Sequence, residues 1–121
     1  MTRRMERVNV VLRQEISRVL ADELRDPRLT SMVSVTRVEA AADLGFARVY
    51  VSVLGDREAK IGTLRALRSA RAFVRRRIRE HVTLRNVPSI AFHIDESIEQ
   101  GAEVLKIISE VAPGPEDSEA E

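Results

Sequence analysis

The sequence contains no cysteine and no tryptophan, and it has one tyrosine and three phenylalanines among 121 residues. The lack of cysteine excludes disulfide bonds, thiolate metal sites and a cysteine nucleophile, and it fits a reducing compartment. The scarcity of aromatic residues argues against an aromatic-rich platform for bases or sugars. No apolar run approaches the roughly 20 residues that span a bilayer. Arg13 interrupts the apolar stretch after the basic N-terminus before that stretch is long enough for a signal-peptide core. We therefore expect a cytoplasmic protein with no membrane segment.

The residue groups that usually carry catalysis are also missing. The glycines are scattered, so no phosphate-binding loop of the GxxxxGK or GxGxxG type is present. His81 and His93 have no partner at metal-ligand spacing. No set of side chains is arranged for acid–base or nucleophilic chemistry. We expect a protein that is not an enzyme and that holds no metal or cofactor.

Charge is distributed unevenly along the chain, although the formal net charge is only +1. The segment 65–85 holds eight arginines and one acid, whereas the segment 95–121 holds nine acids and one lysine. Because arginine binds phosphate in a planar, bidentate manner, the first segment predicts a localised face for a polyanion. The alternative is a solvated helix surface in an arginine-rich chain.

Hydrophobic periodicity divides the chain into helices and strands. The order is helix, strand, strand, helix, strand, helix, over residues 3–24, 33–38, 47–53, 58–81, 90–94 and 96–111. Asp26-Pro27 stops the first helix. A phase slip near Arg37–Val38 indicates a β-bulge, and an acidic tail at 112–121 is expected to be disordered.

The long central helical stretch changes phase along its length. Its apolar residues are Ile61, Leu64 and Leu67 in the first half and Phe73, Val74 and Ile78 in the second. The two sets lie on faces about 100° apart, and in a straight helix Arg71 would point into the apolar stripe. We expect a kink at Ser69–Ala72; the alternative is a straight helix from which the Arg71 side chain reaches solvent.

These elements predict a two-layer α+β domain over residues 1–111, in which helical pieces cover one face of a three-stranded sheet. The first two strands have a short connection and most simply form an antiparallel pair. The opposite face of the sheet carries Arg48, Tyr50, Ser52 and His93 and is expected to face water.

Three segments carry a family resemblance: LRDPRL at 24–29, DLGFARVYVS at 43–52 and LRNVPSIAFHIDES at 84–97. In this order and at these spacings the chain resembles the bacterial ribosome-binding factor A family over roughly residues 3–110. The resemblance implies a type II KH fold without the GxxG phosphate clamp. The family has an Ala-x-Gly kink between its central helices, and the matching residues here are Ala70, Arg71 and Ala72. Alanine replaces the glycine, so a shallower kink is expected at the place where the phase changes.

The resemblance also implies a function. Members of the family are non-catalytic assembly factors that bind free or immature 30S ribosomal subunits in the cytoplasm. They assist late maturation and the processing of 16S rRNA, near the 5′-terminal helix of that RNA. A ribosome-associated GTPase promotes their release before translation. A monomer is the simplest state for a protein with one exposed binding face.

Without a GxxG clamp, arginine side chains are expected to carry more of the phosphate binding. The candidates around and after the kink are Arg71, Arg75, Arg76 and Arg79, and a second basic patch consists of Arg3, Arg4 and Arg7. Arg28 and Arg85 fall in the family-like segments, where an RNA-binding role and a structural role are both open. Two other functions remain as alternatives: a generic nucleic-acid-binding KH module, and a protein–protein adaptor that uses the acidic C-terminal segment.

Overall fold

The chain folds in the order α-β-β-α-α-β, with three helices and three strands in the part that the structure describes. A computed structural model describes residues 2–29 and 32–96. Its elements are α1 (Arg3–Asp22), β1 (Val33–Ala40), β2 (Phe46–Val53), α2 (Arg57–Ser69), α3 (Arg71–His81) and β3 (Ser89–Ile94). The predicted acidic helix, apart from its first residue, and the predicted tail lie outside these residues. None of the described helices is both long and apolar enough to cross a membrane.

A side-chain hydrogen bond caps the beginning of the first helix. The Thr2 hydroxyl accepts a hydrogen bond from the Met5 N–H at 3.1 Å, which satisfies one of the free donors of the first turn. The last helical residue is Asp22, two residues before the predicted end. Leu12, Ile16 and Val19 recur at three- and four-residue spacing and are fully buried against the sheet.

The strands form one mixed sheet in the order β1-β2-β3. β1 and β2 are antiparallel, as predicted, and the register shifts between Val35 and Arg37, which confirms the bulge. β2 and β3 are parallel; α2 and α3 form the long connection that a parallel pair requires. The sequence had given no orientation for this second pair.

The hydrophobic core lies between the three helices and one face of the sheet. Its fully buried members include Leu12, Ile16, Val19, Val49, Val51, Leu67, Val74, Ile78 and Phe92. Burial of one such side chain stabilises the fold by about 1.5–3 kcal/mol. All three helices contribute to this one cluster, so the positions of α2 and α3 on the sheet are set together.

The central helical stretch is broken, not straight. α2 ends at Ser69 and α3 begins at Arg71, and Ala70 between them has φ −93° and ψ 5°, in the bridge region outside the helical minimum. The Ala70 N–H bonds to the carbonyls of Ala66 and Leu67 at 3.1 and 3.0 Å. This confirms the predicted kink. The break falls at Ala70, whereas Ala72 is helical, so alanine in place of the family glycine is compatible with it.

An ion-pair network joins the end of α1 to α3. Glu23 is 2.6 Å from Arg18 Nη1 and 2.7 Å from Arg77 Nε, and Glu15 accepts a 2.7 Å hydrogen bond from Arg18 Nη2. His81 Nδ1 lies 3.1 Å from Glu15 Oε2. Hydrogen bonding from Arg18 lowers the pKa of both Glu15 and Glu23 below the usual glutamate value. The folded state therefore favours both carboxylates in their charged form.

These lowered pKa values predict a loss of stability in acid. A carboxylate whose pKa is lower in the folded state stabilises the fold fully above its unfolded pKa of about 4.3, and this contribution disappears as pH falls through the folded pKa. We expect the urea midpoint to fall as the pH is lowered from about 5. The Glu23→Gln variant should be less stable at neutral pH and should show a weaker pH dependence in that range.

The exposed Glu58 at the start of α2 provides the control, because its substitution by glutamine removes a carboxylate outside the network. Equal pH dependence of the Glu23→Gln and Glu58→Gln variants would contradict a role for the network.

One buried hydroxyl is expected to cost stability. Thr63 is fully buried in α2, and its Oγ1 has no hydrogen-bond partner among residues 2–29 and 32–96. An unsatisfied buried polar group costs about 1–3 kcal/mol. The Thr63→Val variant has a similar shape without the hydroxyl and should raise the free energy of unfolding by about 1 kcal/mol, measured by urea denaturation. A destabilised variant would mean that the hydroxyl is satisfied.

Candidate nucleic-acid interface

A groove lies between the first turn of α3 and the beginning of β3. Its lining residues are Arg71, Ala72, Arg75, Ser89 and Ile90, and its volume is about 270 Å³. Two arginines on the helix side face a serine and an isoleucine on the strand side. The break at Ala70 starts α3 beside this groove, so the kink and the groove belong to the same local arrangement.

Arg75 ties the helix to the strand. Its Nη2 and Nε atoms donate to the Val87 carbonyl at 2.9 and 3.2 Å, and Nε also lies 3.3 Å from the Pro88 carbonyl. The side chain is half-buried. Arg75 therefore fixes the loop that leads into β3 and still lines the groove, so it has a structural role that the sequence did not predict.

The other arginines of α3 are more open to solvent. Arg71, Arg75 and Arg79 recur at four-residue spacing and share one side of the helix. Arg71 is exposed and bonds to the Arg68 carbonyl, and Arg76 lies over the Phe73 ring at 5.6 Å. Arg79 is exposed and has no ion pair or hydrogen bond to another described residue. Arg71 and Arg75 thus line the groove, and Arg76 and Arg79 extend the positive charge over the exposed surface of α3; the four arginines together are called the basic ridge.

The outer edge of β3 adds backbone groups to this site. Ser89 and Asp95 donate their N–H groups toward β2, to the carbonyls of Gly45 and Val51 respectively. Since backbone direction alternates along a strand, the N–H and C=O groups of Ile90, Phe92 and Ile94 point to the outer edge. Arg68 Nη2 lies 3.5 Å from the Phe92 carbonyl. This edge provides donors and acceptors beside the basic ridge.

Arg28 is placed close to the kink by a tight ion pair. Its Nη2 donates to Asp26 Oδ2 at 2.7 Å, and its backbone N–H and Nε donate to Asp26 Oδ1. These bonds lower the pKa of Asp26 to about 2. Arg28 Nη2 also lies 3.4 Å from Ser69 Oγ. The geometry gives Arg28 a structural role, joining the end of α1 to the α2–α3 junction.

The second predicted patch is separate from the groove. Arg3, Arg4 and Arg7 are exposed on the first two turns of α1, whereas Arg28 lies beyond its other end. A 20-residue helix is about 30 Å long, so these arginines and Arg28 cannot belong to one small site. Arg3 and Arg7 border the exposed Val10 and Val11.

Arg85 and Arg77 differ in their exposure and in their ion pairs. Arg85 is exposed in the loop before β3. Arg77 is held by Glu23 and by Glu80, so its charge is already paired.

Among residues 2–29 and 32–96 no group of three or more histidine or acidic side chains is placed to hold a metal ion.

Two residues that line the groove, Ser89 and Ile90, have no predicted binding role, since Ile90 is predicted only as a strand residue and Ser89 precedes that strand. Arg68, which contacts the Phe92 carbonyl at the edge of β3, belongs to the basic segment but is not among the predicted binding residues. Their place in the site depends on β3 lying at the edge of the sheet next to α3. The one available signal is the family-like segment 84–97, which contains Ser89 and Ile90.

Comparisons with known proteins agree on one family. The family profile described as ribosome-binding factor A matches residues 4–108. The chain is 45% identical over 109 residues to the ribosome-binding factor A of Acetivibrio thermocellus, which covers 90% of this chain and 89% of that one. It is also similar to the crystal structure of ribosome-binding factor A from Thermus thermophilus, with 25% identity and a TM-score of 0.68 over 77% of this chain and 97% of that chain.

A further structural neighbour is a homology model of the Thermus thermophilus ribosome binding factor A fitted into the cryo-EM map of a complex of that factor with 30S. It has 27% identity and a TM-score of 0.59 and covers 73% of this chain and 91% of that chain. With the α+β fold, the broken central helix and the profile match over 4–108, the chain belongs to the ribosome-binding factor A family.

Proposed function

We propose that this protein is a non-catalytic assembly factor that binds free or immature 30S subunits in the cytoplasm and assists late maturation and processing of 16S rRNA. The basic groove between α3 and β3 carries this proposal. The proposal also includes two features that the family resemblance implies. The protein acts near the 5′-terminal helix of 16S rRNA, and a ribosome-associated GTPase promotes its release before translation.

The groove is suited to an RNA backbone. The exposed guanidinium groups of Arg71, Arg76 and Arg79 present planar donors to phosphate oxygens. The outer edge of β3 supplies backbone groups opposite them. In a KH domain with a GxxG loop, that loop clamps the backbone; here the α2–α3 junction contains Ala70 and Ala72 instead. Side-chain charge therefore replaces the backbone clamp.

The predicted domain over residues 1–111 and its nine candidate arginines remain part of this proposal. Arg75 and Arg28 contribute by shaping the site, Arg71 contributes charge in the groove, and Arg76 and Arg79 contribute charge on the exposed surface of α3. The patch of Arg3, Arg4 and Arg7, with Arg85 in the loop, provides further contacts to a ligand as large as a ribosomal subunit. A monomer is sufficient for these contacts.

Co-sedimentation tests the proposal directly. The purified protein is mixed with separated 30S subunits, 50S subunits and 70S ribosomes at two salt concentrations. We expect selective binding to 30S that weakens with salt, since phosphate contacts release counterions. Equal binding to all three particles would indicate a generic nucleic-acid module. Salt-independent binding, or binding to none of them, would favour the protein adaptor.

Charge reversal at the basic ridge should weaken this binding. Arg76 and Arg79 are exposed, and neither holds an ion pair with a described residue, so Arg76→Glu/Arg79→Glu changes charge with little effect on packing. We expect at least about tenfold weaker 30S binding and a salt dependence that is shallower by about two phosphate contacts. Arg75 is left unchanged because its bonds to Val87 and Pro88 hold the loop.

The matched control is Arg13→Glu/Arg57→Glu, which makes the same change of formal charge at two exposed positions away from the groove. Circular dichroism and urea denaturation establish that both variants fold. Equal loss of binding in both variants would mean that net charge, and not the groove, determines the affinity.

A further inference from the structure

Three side chains form a row across the face of the sheet that the helices described within residues 2–29 and 32–96 leave uncovered. Arg37 in β1 is the register partner of Tyr50 in β2, and Tyr50 is the partner of His93 in β3. The Arg37 guanidinium carbon lies 4.1 Å from the centre of the Tyr50 ring. The Tyr50 and His93 rings have centroids 5.6 Å apart and planes inclined by 31°. One guanidinium and two rings thus lie side by side on this face.

The β-bulge places Arg37 in this row. Val33 and Val35 face the core, and strict alternation would send the residue at 37 to the core and the residue at 38 to solvent. The register shift between Val35 and Arg37 reverses this, so that Val38 is buried and Arg37 is exposed. Bulges often re-aim a side chain in this manner next to functional sites.

The bulge is held in place by a hydroxyl. Thr36 Oγ1 lies 2.6 Å from Asp95 Oδ2, just after β3, and 3.2 Å from the Tyr50 carbonyl in β2. Thr36 therefore links the bulge to the adjacent strand β2 and to the residue that follows β3. The hydrogen bonds of Thr36 therefore help to hold the backbone conformation that places Arg37 beside Tyr50, in addition to the contact between the two exposed side chains.

The row continues toward the basic groove. On β2, Arg48 lies over the Phe46 ring at 5.5 Å, and Phe46 is 44% exposed. Phe46 is the register partner of Ser89, and Ser89 also lines the groove. A single strand of nucleic acid bound in the groove can therefore pass Ser89 and reach the uncovered face without leaving the protein surface.

We propose that this uncovered face is a second RNA-binding surface, on which Tyr50 stacks an unpaired base of a single-stranded segment. A base takes the place of Arg37 on the Tyr50 ring, and the released guanidinium pairs with a neighbouring phosphate. Aromatic rings and arginine planes are the groups that stack unpaired RNA bases. The inference rests on the proposed function, because it requires RNA bound in the adjacent groove.

The acids on this face do not prevent such an exchange. Glu39 is 3.6 Å from Arg37, and both side chains are well exposed, so the pair contributes little to stability. Asp95 is turned toward Thr36. Release of Arg37 therefore costs little, and the phosphate supplies a new partner for its charge.

The composition of the chain provides a direct assay. Tyr50 is the only tyrosine and there is no tryptophan, so the intrinsic fluorescence of the intact protein reports on this ring. We titrate the full chain with an oligoadenylate of about ten nucleotides, a length that one small domain occupies. We expect quenching of the Tyr50 emission that saturates together with the anisotropy of a labelled copy of the same RNA. N-acetyltyrosinamide in the same titration corrects for absorption by RNA.

Two substitutions of Tyr50 distinguish base stacking on the ring from simple contact with an apolar side chain. Tyr50→Leu removes the ring face and keeps an apolar side chain, whereas Tyr50→Phe keeps the ring and removes the hydroxyl. We expect about tenfold weaker RNA binding for Tyr50→Leu and nearly unchanged binding for Tyr50→Phe, with both variants folded by circular dichroism. Equal affinity of the two variants, or RNA binding without quenching, would overturn the second surface.

These failures are distinguishable from failure of the proposed function. If the Tyr50 variants bind alike but Arg76→Glu/Arg79→Glu loses 30S binding, the groove remains and the sheet face is rejected. If the unmodified protein binds neither 30S subunits nor RNA, both proposals fail. A dimer seen by sedimentation velocity and abolished by Tyr50→Leu would assign this face to a second copy of the chain and also reject it as an RNA surface.

Discussion

Two short helices with different apolar faces must pack onto the same face of one sheet, and the break between them meets this requirement. Leu67 in α2 and Val74 and Ile78 in α3 are all fully buried in one core. A straight helix would place Arg71 in the apolar stripe, where burial of an unpaired charge is costly. The break at Ala70 lets both helices bury their apolar residues and leaves Arg71 at the surface. The groove beside β3 is a consequence of this break.

The abundance of arginine has two separate effects. One group is used inside the fold: Arg18 and Arg77 join α1 to α3 through Glu23, Arg28 is paired with Asp26, and Arg75 holds the loop before β3. A second group, in which Arg76 and Arg79 are the clearest members, remains exposed. Because the first group is already satisfied, only the second is free to exchange water for phosphate oxygens. The binding surface is therefore smaller than the charge of the segment 65–85 suggests.

The sequence predicted those features that depend on local periodicity. The phase change between Leu67 and Val74 located the helix break, and the slip near Arg37–Val38 located the bulge within two residues. The parallel pairing of β2 and β3 was not predicted, since it depends on which edge of the sheet accepts a strand 35 residues later. For a similar reason, the sequence leaves the role of Arg28 open and does not predict the structural role of Arg75. Each contacts groups that pattern analysis cannot pair with it, and for Arg75 these are backbone carbonyls 12 and 13 positions away.

Site-specific photocrosslinking shows whether the basic ridge of α3 contacts ribosomal RNA on the 30S subunit. A benzophenone amino acid replaces Arg76 in the full chain, and a second protein carries it at the exposed Arg57 as the reference position. Both are irradiated in the presence of 30S subunits. We expect crosslinks to 16S rRNA from position 76 and few or none from position 57. Crosslinks from position 76 to ribosomal proteins alone, or equal RNA crosslinking from both positions, would contradict this expectation.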